Sequence, residues 1–393
     1  MIIKNASVYT EDGQFAEADV FVSGDIIVQS IEELSSAEEK DVVDAAGMYL
    51  IPGLTDIHFH GCMGADLSDG TVEAVETIAA YQASVGVTTI VPATMTVEEQ
   101  ELLSVCRSVR EYRNAQEGIC GCGVEIPVQK EEQAILCGIH LEGPFLSAGK
   151  AGAQNPAFIR KPDAQLLDKF QEESGGLVRI CSLAPEEEGA TELIRDKKDE
   201  MIFSLAHTMA DYDTACNAFE AGASQVTHLF NAMPAFLHRM PGVIGAAMDK
   251  GAYAELICDG IHVHPAAVRG AMKLFGEDRI IFISDSMRAT GLADGRYLLG
   301  GLEVSVTGKK ALLADESLAG SVTNLADCMR TAVKDMGIPL ETAVKCAAVN
   351  PAKRVGLFDK CGSITAGKWA NLVLLNKEDL SLAAVFVKGK RIV

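Results

Sequence analysis

Two histidines separated by one residue follow an apolar segment near the N-terminus. His58 and His60 come directly after the apolar run 50–54, and Ile57 and Phe59 alternate with them. In an extended chain, residues i and i+2 lie on the same face, so the two imidazoles could bind one cation while the apolar side chains pack elsewhere. The pattern alone is weak evidence, because a His-x-His pair in a strand more often consists of two ordinary histidines.

The other histidines are not scattered evenly along the chain. Six of the eight lie at or just after the C-terminal end of an apolar, strand-like segment, as do two carboxylates, Glu142 and Asp285. In barrel enzymes the catalytic groups come from this end of the strands, because the substrate-binding loops all open on that side. The six histidines are His58, His60, His140, His207, His228 and His262.

Five of these side chains form a donor set suited to a catalytic metal. A catalytic zinc site uses protein nitrogen and oxygen donors and leaves a position for water, whose pKa then falls to about 7. Five donors exceed the need of one open tetrahedral site, so two metals bridged by Glu142 also fit. The set contains no thiolate, which favours hydrolysis over a structural site, and Zn, Fe, Mn and Co all accept such donors. The predicted ligands are His58, His60, Glu142, His207 and His228.

Asp285 ends the apolar run 280–284, and its position indicates a general base. A carboxylate beside a divalent cation stays ionised, can accept a proton from water and can later return it to a leaving amine. The alternative is that Asp285 caps the N-terminus of the next helix. The metal donors nearby favour the catalytic interpretation.

The central part of the chain alternates between strand-like and helix-like segments. Helical patterns at 72–84, 98–113, 164–173, 211–221 and 265–274 separate most of the strands. Such alternation predicts a parallel sheet, and eight repeats favour a closed (β/α)8 TIM-like barrel of the α/β class over a doubly wound open sheet. The eight predicted strands are 50–56, 87–93, 135–142, 178–184, 201–207, 225–230, 254–259 and 279–285.

Both ends of the chain show short alternating segments separated by turns. Neither end has enough strands to bury a core alone, so we expect the two termini to pair into one small β-sandwich domain. The predicted division places residues 1–52 and 359–393 in the sandwich and residues 53–358 in the barrel.

The charge and the cysteines limit the partners. The net charge of −21 would repel nucleic acid and anionic membranes, although a few well-placed arginines could still bind an anionic substrate. No long apolar run or signal peptide is present, so we expect a cytoplasmic protein. Cysteines in apolar segments, such as Cys137 and Cys181, indicate reduced core residues. The close pair Cys120 and Cys122 is expected to be a chance feature of a glycine-rich loop.

At these motifs the chain resembles the amidohydrolase superfamily and, within it, the N-acetylglucosamine-6-phosphate deacetylase family. The resemblance spans nearly the whole chain, and its motifs are together highly specific. They are PGLTDIHFHG at 52–61, HLEGPF at 140–145, AHT at 206–208, THLFNAM at 227–233, CDGIH at 258–262 and SDSM at 284–287.

The resemblance implies roles for several residues. Glu142 would replace the carboxylated lysine of other amidohydrolases, with His207 and His228 completing its metal site, and the retained first histidine pair allows one metal or two. The sugar phosphate would lie near Asn231, Ala232 and Arg239, and a homodimer would let Arg239 reach into the neighbouring subunit. A guanidinium suits bidentate contact with a phosphate.

The main departure from the family pattern is at position 154, and a milder one lies at 320–325. Many relatives have a histidine that polarises the acetyl carbonyl where this chain has Gln154, and glutamine can donate a hydrogen bond but cannot carry positive charge. Gln154 or His262 is therefore expected to assist the metal in stabilising the oxyanion.

The expected activity is removal of the acetyl group from N-acetylglucosamine 6-phosphate to give glucosamine 6-phosphate and acetate. The main alternative is a related deacetylase acting on the galactosamine epimer or another N-acyl substrate, which Gln154 supports. A second alternative is a non-catalytic scaffold that keeps the fold, and the intact donor set argues against it.

Overall fold

The computed structural model describes residues 1–119, 130 and 132–393. Cys120 and Cys122 lie outside the described residues. The strands, in chain order, are β1 Ile2–Tyr9, β2 Phe15–Ser23, β3 Ile26–Val28, β4 Val42–Asp44, β5 Met48–Pro52, β6 Leu54–Asp56, β7 Gly61–Cys62, β8 Ala65–Asp66, β9 Val87–Ile90, β10 Ile135–Leu136, β11 Ile139–Glu142, β12 Val178–Leu183, β13 Ile202–Leu205, β14 Gln225–Val226, β15 Tyr253–Ile257, β16 Ile280–Ile283, β17 Gly295–Leu299, β18 Leu302–Thr307, β19 Lys310–Leu312, β20 Leu372–Asn376, β21 Leu382–Val387 and β22 Lys390–Arg391.

Helices separate most of the central strands. Several begin at a polar side chain that accepts a hydrogen bond from the first turn, as Thr71 does for α1 and Asp211 for α5. The helices are α1 Val72–Ser84, α2 Glu99–Glu117, α3 Ala164–Ser174, α4 Ala190–Lys197, α5 Tyr212–Ala221, α6 Gly242–Asp249, α7 Pro265–Phe275, α8 Leu325–Lys334, α9 Leu340–Val344 and α10 Asn350–Arg354, with a π-helix at Lys345–Val349 and 3-10 turns at Ile31–Glu33, Glu38–Lys40, Leu67–Asp69, Ala148–Lys150 and Pro156–Phe158.

The central strands form a parallel barrel. Strand β9 lies between β6 and β10, and β11 to β16 follow one another in chain order, each parallel to the next. A parallel bridge between Ala93 and His140 joins the two groups. The ring closes where the amide of Asp285 donates to the carbonyl oxygen of His58 at 3.0 Å. The predicted (β/α)8 barrel is therefore confirmed. The predicted strands are present in shorter form, except that 50–56 is divided between β5 and β6, and 135–142 is divided into β10 and β11.

The barrel strands are buried on both faces, as expected for a parallel sheet covered by helices. Their apolar side chains, including Ile180, Leu205 and Phe282, belong to one large core that also contains the inner faces of the helices. This core holds the C-terminal ends of all eight strands at one rim. No helix among the described residues is long and apolar enough to span a membrane.

The two ends of the chain share one sheet. Its order is β22-β21-β20-β5-β1-β2-β3, with β4 also paired to β1, so an antiparallel pair of β5 and β20 joins the N-terminal and C-terminal strands. A separate apolar core packs against this sheet, and its buried residues include Ile3, Leu50, Leu372 and Phe386. The expected pairing of the termini is therefore present.

A three-stranded antiparallel sheet follows the last barrel strand and was not predicted from the sequence. Strand β18 pairs with β17 on one side and β19 on the other. Its inner residues Leu299 and Val304 pack on Met95 and Met287, which lie near the C-terminal rim of the barrel. The sheet therefore covers part of the mouth of the barrel.

Candidate active site

The predicted ligands meet at the C-terminal rim of the barrel. His58 and His60 follow β6, Glu142 ends β11, His207 follows β13 and His228 follows β14. Each of these residues is at most 5% exposed. Because parallel strands present their carboxyl ends at one rim, residues far apart in sequence form a single buried cluster.

Three of the rim residues have an uncommon backbone conformation. His207, His228 and Asp285 have φ values of 42°, 30° and 49°, in the left-handed region that few non-glycine residues adopt. Each such residue costs roughly 1–3 kcal/mol and persists only where the surrounding structure imposes it. Strain of this kind is typical of functional sites, and the chain leaves the strand direction at each of these positions.

Glu142 lies at the centre of the cluster. Its Oε1 atom is 3.1 Å from Nε2 of His207 and 2.9 Å from Nε2 of His228, while its Oε2 atom is 3.1 Å from Nε2 of His60. Nε2 of His58 is 3.5 Å from Oε1. One carboxylate therefore faces four imidazoles, three at Oε1 and one at Oε2.

The outer nitrogens of three of these rings are bound to fixed acceptors. Nδ1 of His58 lies 2.7 Å from Oε2 of Glu255, Nδ1 of His60 lies 3.3 Å from the Ala93 carbonyl oxygen, and Nδ1 of His207 lies 2.9 Å from the Lys150 carbonyl oxygen. A neutral ring that donates its Nδ1 hydrogen outward presents a lone pair at Nε2. Metal-binding histidines are oriented in this way.

The inward-facing atoms fit a metal. Nε2 of His207 and Nε2 of His228 are only 3.1 Å apart, close to the edge of about 3.3 Å in a tetrahedron with metal–nitrogen bonds of 2.0–2.1 Å. Nε2 of His58 is buried without a hydrogen-bond partner among the described residues. Two donor groups share Glu142 and are compact enough for an ion, one with His58 and His60 and the other with His207 and His228.

A third compact group consists of His58, His140 and Glu255. Both nitrogens of His140 already have partners, the Ile57 carbonyl oxygen at 3.0 Å and the Ser182 hydroxyl at 2.7 Å. Burial and the charge of His58 lower the pKa of His140 to about 4, so the ring is neutral. His140 therefore belongs to the hydrogen-bonded interior of the barrel.

The buried carboxylates of the cluster are stabilised by positive charge. Burial alone would lower the pKa of His60, but hydrogen bonds to Asp285 and Glu142 outweigh burial and raise this pKa to about 10. Burial would also raise the pKa of Glu142, yet the charge of His58 and the hydrogen bonds from the other histidines hold it well below its usual value. Ionised carboxylates in a buried site need a cation close by.

Asp285 lies beside the histidine pair. Its Oδ1 atom is 3.3 Å from Nε2 of His60 and 3.8 Å from Nε2 of His58. Burial raises the pKa of the Asp285 carboxyl, but the hydrogen bond from His60 and nearby positive charge outweigh it and lower the pKa. The next regular element is β17, so Asp285 caps no helix and the alternative interpretation is wrong.

A cavity of about 580 Å³ opens above the cluster. Most of the predicted site residues line it, while His58 lies beneath its floor. The exposed Arg239 is not part of this lining and instead has Nη1 2.6 Å from Nε2 of His238. The predicted residues in the lining are His60, Glu142, Gln154, His207, His228, Asn231, Ala232, His262 and Asp285.

Gln154 has a fixed orientation. Its amide oxygen accepts a hydrogen bond from the Thr96 amide at 2.7 Å, so its amino group must face the cluster, where it donates to Oε2 of Glu142 at 2.7 Å. The same amino group lies 3.8 Å from the weak acceptor Sδ of Met95. Gln154 is therefore both a support for Glu142 and a hydrogen-bond donor in the cavity.

His262 is held by an aspartate three residues before it. Oδ2 of Asp259 lies 2.7 Å from Nδ1 of His262, and Oδ1 of Asp259 accepts the backbone amides of Ile261 and His262. Burial lowers the pKa of His262, but the bond to Asp259 outweighs it and raises the pKa. A protonated ring bound to Asp259 through Nδ1 has Nε2–H left to donate.

Sequence reasoning missed three polar residues of the site. Glu255 lies inside an apolar strand that carries no other sign of a site. Asp259 belongs to the motif at 258–262, and its Asp-x-x-His spacing is a usable signal. Lys150 lines the cavity and is the only lysine or arginine among the lining residues. The segment that follows Lys150 passes beside Ala232: a Cβ placed on Gly152, two residues later, would lie 3.8 Å from the Ala232 side chain.

Comparison with known proteins agrees with this geometry. A sequence model of the amidohydrolase family matches residues 49–392. The chain is 39% identical over 381 residues to an N-acetylglucosamine-6-phosphate deacetylase of Bacillus subtilis (strain 168), with 96% of this chain and 93% of the relative covered. It is 31% identical to an N-acetylgalactosamine-6-phosphate deacetylase of Escherichia coli O157:H7, with 99% and 98% covered.

A solved structure is similar over its full length. It is an aspartate-to-alanine mutant of N-acetyl-D-glucosamine-6-phosphate deacetylase from Mycobacterium smegmatis in complex with N-acetyl-D-glucosamine-6-phosphate. The TM-score is 0.88 at 31% identity, with 100% of this chain and 99% of that chain covered.

Proposed function

Since the chain belongs to the amidohydrolase family of hydrolytic enzymes, we propose that it removes the acetyl group from N-acetylglucosamine 6-phosphate. The products are glucosamine 6-phosphate and acetate. The observation that carries the proposal is the convergence of four imidazole Nε2 atoms on Glu142, with Asp285 beside them on the floor of the cavity. The full donor set argues against a non-catalytic scaffold.

The residues that would hold a divalent metal are His58, His60, Glu142, His207 and His228. A metal bound there supplies positive charge that activates water and polarises the acetyl carbonyl. We propose zinc first, with Fe, Mn or Co as alternatives that the same nitrogen and oxygen donors accept.

Asp285 is proposed to move the proton. Its ionised carboxylate accepts a proton from the attacking water as the oxygen bonds to the carbonyl carbon. When the carbon–nitrogen bond breaks, Asp285 returns that proton to the amine nitrogen. Its low exposure of 7% keeps bulk water from competing for the proton.

Two donors are proposed to stabilise the charge that develops on the carbonyl oxygen. The amino group of Gln154 has one strong acceptor, Glu142, and its second hydrogen faces only the Met95 sulfur, so it is available to the substrate. His262 donates through Nε2 when its ring is protonated. Donors fixed before the substrate arrives lower the barrier without reorganising.

The phosphate is proposed to bind on the side of Asn231 and Ala232. Arg239 lies in an exposed loop outside the cavity of its own chain, together with the exposed side chains of Leu237 and Met240. We propose a homodimer in which this loop packs on the partner, so that Arg239 completes the phosphate site across the interface. An apolar loop around one arginine suits both tasks.

The location and the domain boundaries are also proposals. All nine described cysteines are free, and most are buried, which suits the reducing cytoplasm where sugar phosphates are metabolised. We keep the division into residues 1–52 and 359–393 for the terminal domain and 53–358 for the barrel.

A second candidate substrate is N-acetylgalactosamine 6-phosphate. The full-length similarity to a deacetylase of that sugar supports it, as does Gln154, which replaces the expected histidine. The two substrates differ only in the configuration of one hydroxyl, so the wall around the sugar ring decides between them.

The test is release of acetate by purified, metal-loaded protein from three substrates, namely N-acetylglucosamine 6-phosphate, its galactosamine epimer and unphosphorylated N-acetylglucosamine. We expect the highest kcat/KM for the first. Preference for the epimer would select the second candidate, and no turnover of any of the three by protein with bound metal would refute both.

A further inference from the structure

A buried carboxylate with no part in the proposed reaction lies directly behind His58. Glu255 in β15 is fully buried, and its Oε2 atom is 2.7 Å from Nδ1 of His58 and 3.3 Å from the backbone nitrogen of His228. N–H groups donate and carboxylate oxygens accept, so both nitrogens donate to this oxygen. A single oxygen therefore fixes the ring of one ligand and contacts the backbone of another.

The other oxygen of Glu255 is held from the opposite end of the barrel. Oε1 accepts a hydrogen bond from Nε2 of Gln225 at 2.7 Å, and the amide oxygen of Gln225 accepts one from Nε of Arg354 at 2.7 Å. Arg354 also donates to the Ser224 hydroxyl at 2.6 Å and stacks on Tyr253. Arginine has no acceptor, so the oxygen of Gln225 must face it and the amino group must face Glu255.

The donor and acceptor of every hydrogen bond from Arg354 to His58 are thereby determined. Arg354 fixes Gln225, Gln225 fixes Glu255, and Glu255 accepts a hydrogen bond from Nδ1–H of His58. The tautomer of His58 with a lone pair at Nε2 follows. That Nε2 atom is buried and has no hydrogen-bond partner in the described part of the chain.

The position of Glu255 is costly unless positive charge lies near His58. Removing a carboxylate from water is unfavourable, and hydrogen bonds offset only part of this desolvation penalty. Within residues 1–119, 130 and 132–393, no lysine or arginine forms an ion pair with Glu255, whose nearest basic groups are the imidazole of His58 and the neutral imidazole of His140. A cation on the far side of His58 would supply the missing charge through the ring.

We propose that Glu255, supported by Gln225 and Arg354, is a positioning residue for a second metal ion bound by His58 and His60 with Glu142. The inference rests on the metal-dependent reaction proposed above. Glu255 is expected to affect metal binding only at the His58–His60 position. The other position keeps Glu142, His207 and His228 as ligands. The backbone bond from Leu229 to the Glu255 carbonyl oxygen keeps His228 in place whatever the side chain.

The test is titration of the metal-free protein with Co²⁺, following bound Co²⁺ and its visible absorption, for the wild type, E255Q and H58N. Gln225 and His58 donate to different oxygens of Glu255, and the amide introduced by E255Q replaces one of these oxygens with an amino group that cannot accept. We expect two Co²⁺ per wild-type chain, and in E255Q an unchanged tighter site and a weaker site reduced about 10- to 100-fold in affinity. H58N should lose the same site.

A second variant and a stability measurement guard against a general folding defect. R354M leaves Gln225 free to rotate and should weaken the same Co²⁺ site by a smaller factor. If Glu255 only stabilises the fold, E255Q will lower the unfolding temperature of the metal-free protein while both Co²⁺ affinities stay at their wild-type values. That result would overturn the inference.

One Co²⁺ per wild-type chain, or equal weakening of both sites in E255Q, would overturn it as well. The titration contains no substrate, so these outcomes leave the proposed deacetylation untouched. Conversely, a wild-type protein that binds two Co²⁺ but releases no acetate would refute the proposed reaction and leave the role of Glu255 standing.

Discussion

Gln154 donates a hydrogen bond of 2.7 Å to Oε2 of Glu142, the oxygen that also faces His60. Because the Thr96 amide fixes the other end of Gln154, the direction of the bond cannot reverse. The residue that replaces the expected histidine is thus hydrogen-bonded into the cluster of candidate metal ligands. Its loss should be felt in the reaction and not in the binding of the sugar.

Gln154→Leu keeps the size of the side chain and removes both the donor and the acceptor. Loss of one donor to a developing oxyanion typically lowers kcat by about 100- to 1,000-fold, and we expect this range with little change in KM. Steady-state kinetics with N-acetylglucosamine 6-phosphate measure it. A variant whose kcat stays within a few-fold of the wild type would remove Gln154 from the reaction.

Asp285→Asn tests the proton transfer. The amide cannot accept a proton from water, and general acid–base catalysis contributes about 10²- to 10⁴-fold, so kcat should fall by a factor in that range. Bound metal should remain, because Glu142, His207 and His228 do not depend on Asp285. Metal content and acetate release are measured on the same preparation, and near wild-type turnover with metal bound would contradict the assignment.

The barrel could be predicted because its strands are apolar, short and regularly spaced by helices. The strand ends could not, since the predicted strand 225–230 keeps regular pairing only at Gln225 and Val226. Beyond them His228 and Phe230 have positive φ values, and the chain turns into the site. Tertiary contacts in the site override the local preference for extended structure.

The side chains that meet at the rim could be predicted because histidine is rare in this chain and marks the ends of the strands. The residues that support them could not. Glu255 reaches His58 across 197 residues of sequence, and a single glutamate in an apolar strand carries no local sign of that contact. Arg354 and Gln225, which support Glu255, are separated by 129 residues, and nothing in the local sequence indicates their contact.

Lys150→Met tests a contact with the phosphate. Lys150 is half-buried in the cavity lining beside Ala232, and no hydrogen bond or ion pair occupies its ammonium group in the part of the chain that the structure describes. Hydrogen bonds to charged groups contribute about 1.5–3 kcal/mol, so we expect KM for the phosphorylated sugar to rise at least about tenfold. KM for the unphosphorylated sugar should not change.

The matched control for Lys150 is Lys161→Met. Lys161 pairs with Glu188 on the surface, where both side chains are largely exposed, and it does not line the cavity. This variant removes the same charge from the protein and should leave both KM values as they are. Equal effects of the two substitutions would mean that Lys150 acts only through net charge.

Asp259→Asn tests whether His262 works as a protonated donor. Burial lowers the pKa of His262 and the bond to Asp259 outweighs it, so removing the negative charge lowers the pKa. A group with a raised pKa keeps its proton to higher pH, and the variant must lose that proton at lower pH. The alkaline limb of the pH profile of kcat should therefore move to lower pH, while activity on the acidic side of that limb is retained. If the alkaline limb coincides with that of the wild type, His262 does not act through its proton. The other contributions of Asp259, including its hydrogen bonds to the backbone amides of the turn, do not depend on pH in this range.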